Sequence, residues 1–171
     1  VIRSPGGLHA IVADAAQSDP VMAAFADACG RAVALDARLT DEVELVIWEK
    51  FVALTAISGA TTLLRANMGQ ILGHPETRAF YRQLLDETLA LGQTAGQALR
   101  AGLADQIMLK VTGLPPSFRS SMSEDLERGK PLELAWLSGR VHALGLQLGV
   151  PTPAHSAVYR GLVLYESGRS Q

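Results

Sequence analysis

One stretch constrains this chain more than any other: Val43 to Leu64 is almost continuously apolar, yet it carries Glu44, Glu49 and Lys50. It is long enough to cross a bilayer, but each mid-membrane charge costs about 2.5–3.5 kcal/mol even on the lenient insertion scale. A membrane span is therefore disfavoured. The alternative is a helix apolar on nearly every face, which has to be wrapped by other helices. Thr40, followed by Asp41, Glu42 and Val43, offers a hydroxyl N-cap with acids in the first turn. The sequence predicts a helix from about Asp41 to about Arg65 at the centre of its domain.

The rest of the chain supplies the wrapping. A short helical piece is expected within residues 65–73. His74-Pro75-Glu76 then opens a long helix through about Leu99, with Phe80, Leu84, Leu85, Leu89 and Leu91 as its apolar stripe and Arg82, Gln83, Asp86 and Glu87 largely opposite. Leu103–Val111 reads as a short helix, and Gly113-Leu114-Pro115-Pro116 breaks the chain. Ser117–Arg128, Glu133–Leu148 and Pro153–Ser167 follow as further helices. Residues 40–171 are thus expected to form an all-α, multi-helix bundle around one long central helix.

Residues 1–39 differ in texture. Leu8–Ala13 and Ala32–Ala37 read as strands flanking a helix at Val21–Cys29. Two short strands do not make a stable sheet alone, so this segment reads as the tail of an α/β unit.

Composition removes several functions. At 171 residues with net charge −2 there is no basic footprint for nucleic acid. Cys29 is the sole cysteine, which excludes an intrachain disulfide and fits a reducing, cytoplasmic setting. The opening residues lack the pattern of a signal peptide. No G-x-G-x-x-G, P-loop, H-E-x-x-H or G-x-S-x-G occurs, and His9, His74, His142 and His155 have no ligand-like spacing, so no metal is expected.

Lys50 is the most informative residue. Val46, Ile47, Ala53 and Leu54 lie one turn away, so its ammonium leaves an apolar stripe, where desolvation would make it a proton donor near neutral pH. A rim lysine whose stem covers apolar surface is the plainer alternative. Glu133 falls at a helix start, where the helix dipole alone accounts for an acid. Ser120 and Ser121 read by default as surface or back-bonded hydroxyls. Gly139, Gly145 and Gly149 suit close packing or helix termination.

Taken in order, the runs IWEKF (Ile47–Phe51), SSMSEDLERGKPLELAWLSG (Ser120–Gly139) and LGVPTP (Leu148–Pro153) resemble the C-terminal domain of the 2-dehydropantoate 2-reductase (ketopantoate reductase) family. The resemblance covers roughly residues 40 to 165. It implies a helical substrate-binding and dimerisation domain like the C-terminal domain of 6-phosphogluconate dehydrogenase, preceded at 1–39 by the tail of a Rossmann-type nucleotide-binding domain. It also implies NADPH, held mainly by that first domain, a small 2-oxo acid or ketone substrate, and a homodimer. By position, Lys50 matches the family's general acid, Ser121 the serine on the substrate carboxylate, Glu133 the glutamate beside the nicotinamide ribose, and Asp125 a structural aspartate.

The departures bear on substrate. Where the family places asparagines on substrate oxygens, this chain has Leu54 and Ser58, and a third falls at Met68 with Asn67 beside it. The second acid of the T-E-I-D-like start is replaced by Ala135. A leucine cannot hydrogen-bond, so the pocket is expected to favour a more apolar substrate. Two other readings stand beside the reductase half: a non-catalytic dimerisation or ligand-binding module, and a regulatory protein that binds a partner helix.

Overall fold

The computed structural model describes residues 9–14, 20–31 and 35–168. The chain divides into two compact units, Val1–Ile47 and Trp48–Gln171.

In the first unit, β1 (His9–Asp14) and β2 (Leu35–Thr40) pair in parallel, with His9 opposite Leu35 and Asp14 opposite Thr40. Parallel neighbours need a crossover, and α1 (Pro20–Gly30) provides it. The second strand runs on to Thr40, past the Ala37 at which the apolar run ends; Leu8 and residues 32–34 lie outside the described residues. Helix α2 (Val43–Leu63) begins in this unit and continues into the second. Its start is held as expected, the Thr40 hydroxyl accepting from Glu42 N at 3.1 Å.

The second unit is helical: the remainder of α2, then α3 (Met68–Gly73), α4 (Pro75–Thr94), α5 (Leu103–Thr112), α6 (Ser121–Glu127), α7 (Ser138–Leu148) and α8 (Pro153–Leu162). Among the described residues no strand falls between 45 and 165, and no helix is long and apolar enough to cross a membrane. The core gathers Val52, Ala56 and Ala60 of α2 with Leu84, Leu85 and Leu91 of α4, Val141 of α7 and Val158 of α8. Glycine permits the closest approach. A Cβ on Gly59 would lie 3.1 Å from Ser138 Oγ and 3.4 Å from Val158, so the middle of α2 presses on the start of α7 and on α8.

The α4 helix stops at Thr94, short of the expected Leu99, and α8 at Leu162, short of Ser167. Three further expectations change. The helix expected at Ser117–Arg128 shortens to α6 because the preceding backbone has other partners: Phe118 O accepts from Met68 N at 2.9 Å and Pro116 O from Gly69 N at 2.8 Å. Ser120 then turns extended (ψ 156°) and caps α6 by accepting from Ser123 N. The single helix expected at Glu133–Leu148 divides into a 3-10 turn, Glu133–Trp136, and α7, because Leu137 (φ −105°, ψ −105°) leaves the helical region. That break carries Ser138 and Gly139 into the core, and a Cβ on Gly139 would sit tightly, 3.0 Å from Leu134 O and 3.1 Å from the Tyr159 ring. Finally, Glu87 does not join the polar side of α4. It is 7% exposed, one turn from buried Leu84 and Leu91, on the stripe itself.

Candidate functional site

The W-x-K turn of α2 works as an anchor and a presented group. Trp48 stacks edge-on against Phe51 (5.7 Å between centroids) and fits so tightly on α4 that a Cβ at Gly92 would fall 3.0 Å from its ring. Lys50 follows about 200° around the helix and therefore faces away from α4. It is exposed, with no hydrogen bond or ion pair among the described residues. Glu49, beside it, is engaged by Arg100, whose Nη2 donates at 2.7 Å. The burial expected around Lys50 from its apolar neighbours is not supplied by them: Leu54 is 39% exposed and Ala53 half-buried. Ser58 is 2% exposed, so of the two departures on α2 Leu54 is the open one.

Ser121 is the first residue of α6 and exposed. Its position is set by Ser120, whose Oγ lies 2.7 Å from Thr61 Oγ1 on α2, and by Ser123, whose hydroxyl donates to Thr61 O at 3.2 Å. Ser120 is thus a buried cap, not a surface hydroxyl. Glu133 is exposed on the 3-10 turn, which leads into α7, whose first residue Ser138 lies against Gly59 of α2. Ser121 therefore sits on a segment docked on the C-terminal half of the helix that carries Lys50, and Glu133 lies five residues before a contact to that same half. No hydrogen bond or ion pair among the described residues joins these three side chains directly. Asp125 lies 3.9 Å from Lys130 Nζ within its own turn. Asn67 is committed elsewhere: its carboxamide accepts from Gln70 N and its own N–H donates back to Gln70 in a capping box, and Met68 is buried.

A buried polar network was not legible in the sequence. His155 is fully buried, with Nε2 2.8 Å from Thr88 Oγ1 and 3.0 Å from Leu84 O, and Nδ1 3.1 Å from Ser138 Oγ. A carbonyl only accepts, so Nε2 carries the proton and Nδ1 accepts from Ser138. Burial pushes the ring pKa down to about 4, against a smaller raising effect of the Leu84 carbonyl, so the imidazole is neutral near pH 7. Thr88 passes the network to Thr55 of α2 at 3.2 Å. Alongside, the Glu87 carboxylate accepts from Ala154 N (2.8 Å) and His155 N (3.0 Å), capping α8 from a different helix. The one signal available was the position of Glu87 between Leu84 and Leu91. These groups are sealed from ligand and serve as scaffold. Among the described residues no cluster suits a metal ion.

With this geometry in view, comparison with known proteins is decisive. Residues 42–166 match the family model described as ketopantoate reductase PanE/ApbA, C terminal. The chain belongs to this family. A 2-dehydropantoate 2-reductase of Mesorhizobium japonicum is 31% identical over 124 residues, covering 72% of this chain and 37% of its own. One from Archaeoglobus fulgidus is 28% identical over 138 residues, covering 81% and 46%. Among solved structures, a dimeric ketopantoate reductase of Staphylococcus aureus superposes with TM-score 0.78 at 26% identity, over 88% of this chain and 52% of that one. A D-mandelate dehydrogenase with NADH and anilino(oxo)acetate shares the fold alone, at TM-score 0.77 and 17% identity, over 94% of this chain and 68% of that one. The chain spans about half the length or less of the curated relatives it matches. The family match begins within the turn before α2, so the ketopantoate reductase C-terminal domain is the helical part of this molecule.

Proposed function

We propose that this chain supplies the substrate-binding and proton-donating half of an NADPH-dependent reductase acting on a small 2-oxo acid or related ketone. One observation carries the reading: Trp48 is locked against α4, so Lys50 is held out on the opposite, open face with no carboxylate neutralising it among the described residues. NADPH, when bound mainly by the α/β half of which residues 1–39 form the tail, supplies the hydride. Lys50 Nζ donates a proton to the substrate's carbonyl oxygen as its carbon receives that hydride, and the neutral amine regains a proton from water. The Ser121 hydroxyl donates to the substrate carboxylate. Glu133, exposed and uncommitted among the described residues, is suited to accept from ribose hydroxyls and to orient the lysine. Leu54 faces the rest of the substrate, and because it cannot pair with oxygen it favours an apolar group there; Ser58, one turn further along α2, is buried. The setting is cytoplasmic and reducing, and the assembly a homodimer, which sedimentation of the concentrated protein tests. Its interface does not use the glycines of α7, since Gly139 and Gly145 face inward against Tyr159 and Thr152.

The test is turnover of the protein joined to its nucleotide-binding half, with NADPH and a panel of 2-oxo acids. Lys50→Ala lowers kcat by ~10²-fold or more, the scale of a positioned general acid. Full activity in a folded Lys50→Ala protein overturns the assignment and leaves a non-catalytic binding module.

A further inference from the structure

At the opposite end of α2 from Lys50, within the second unit, the surface closes over a cavity of about 210 Å³ lined by Arg65, Arg119 and Lys130 together with Glu127, Leu126 and Tyr165. We propose that it binds a small phosphate monoester. Among the described residues the lining holds three cations and one carboxylate, Glu127, with Asp125 standing 3.9 Å from Lys130 beside it. A phosphate monoester carries about −1.5 to −2 at neutral pH and three strong acceptor oxygens, enough to meet all three cations, whereas a carboxylate has two oxygens and one charge.

The individual partners sharpen the case. Arg119 is held in place from two sides: Nη1 lies 2.6 Å from Glu127 Oε1 and Nη2 donates to Ser123 Oγ at 2.7 Å. The planar guanidinium so fixed is suited to oxyanions. Lys130 is only loosely neutralised, 3.9 Å from Asp125. Arg65 has no ion pair among the described residues and has a φ of 51°, alone among the described non-glycine residues in being left-handed. Such a conformation costs an arginine about 1–2 kcal/mol and is retained where the surroundings fix it.

The cavity's frame is rigid. Ser123 ties α6 to Thr61 near the end of α2, and Leu132 N donates to Glu166 O at 2.9 Å, fastening the C-terminal segment to the turn after α6. Gly168 passes so close that a Cβ would lie 2.7 Å from Gly129 O. The cavity is roughly seven times a water's share of liquid volume, room for a phosphate and a small organic group. Leu126 and Tyr165 offer that group an apolar wall.

The test titrates the whole chain with inorganic phosphate and with phenyl phosphate, followed by amide NMR shifts. Saturable shifts centred on Ser123, Gly129 and Gly168 are expected, weakening as salt is raised. Phenyl phosphate is expected to bind ~3-fold or more tightly than phosphate, through its extra apolar contact. Arg65→Gln and Lys130→Gln each weaken binding ~5-fold or more, on the scale of one charge-assisted hydrogen bond. Arg65→Gly removes the same charge where glycine is at ease, so binding falls without loss of melting temperature. Non-saturating or scattered shifts, or unchanged affinity in both the Arg65 and Lys130 variants, overturn the site; equal affinity for the two probes overturns the assigned wall.

Discussion

The two halves of the second-unit part of α2 make opposite use of one helix. Toward its C-terminus Thr55, Ala56, Ser58, Gly59, Ala60, Thr61 and Thr62 are buried, and the hydroxyls of Thr55 and Thr61 reach α4 and the start of α6. Toward its N-terminus Lys50 and Leu54 stand open, while Trp48 meets α4 and Val52 is buried. The buried half is fastened by groups whose loss costs stability. The open half bears groups whose loss costs the molecule little. A side chain left exposed and unpaired beside a rigid scaffold is available for chemistry, because the scaffold has already met the entropic cost of holding it there.

The contrast can be broken at several points. Lys50→Ala is expected to remove the most, ~10²-fold or more of turnover in the complete reductase, while the melting temperature of the variant stays within error. A large drop in melting temperature would show that Lys50 belongs to the scaffold after all. Glu87→Ala strikes the other half. It leaves the N–H groups of Ala154 and His155 buried and unpaired, and should cost about 2–3 kcal/mol in urea unfolding, with Glu87→Gln recovering much of it. Equal stability of Glu87→Ala and wild type would mean that water caps α8 instead.

Next in size comes acid lability. The folded pKa of His155 lies near 4, below the unfolded value near 6.5, so the unfolded chain binds the proton more readily. Stability from this group is complete above about pH 6.5 and is lost as pH falls toward 4, by on the order of 2 kcal/mol at pH 5. Replacing His155 with Gln should flatten that part of the stability profile, whatever it does to the plateau; an unchanged slope would assign the acid sensitivity to carboxylates. The smallest effect is expected at Leu54→Asn, which should leave stability unchanged and shift preference toward a more polar 2-oxo acid by ~10-fold, one hydrogen bond's worth. No shift would move Leu54 out of the pocket.

How much of this was readable in advance follows from range. Helical period and capping chemistry are local, so α2, α4 and α5 lie close to where the patterns put them, and Thr40 and Ser120 cap helices by contacts two or three residues away. The shortening of α6 was hidden because Pro116 and Phe118 spend their carbonyls on α3, nearly fifty residues earlier. The site was legible in part: the W-x-K spacing alone places Trp48 and Lys50 on opposite sides of the helix, whereas the openness of Leu54 and the burial of Ser58 depend on which helices arrive beside them.

The amino-acid sequence by itself determined the helical class, the start and extent of α2, the β-α-β texture of residues 9–40 and the family motifs. Each is a matter of residue type and spacing along one segment. Tertiary structure alone decided that Glu87 turns inward to cap α8, that His155 is neutral and sealed, that Asn67 is occupied as a cap, and that Arg65, Arg119 and Lys130 converge on one cavity. Those outcomes depend on desolvation and on partners dozens of residues away, and neither is encoded in the period of any single helix.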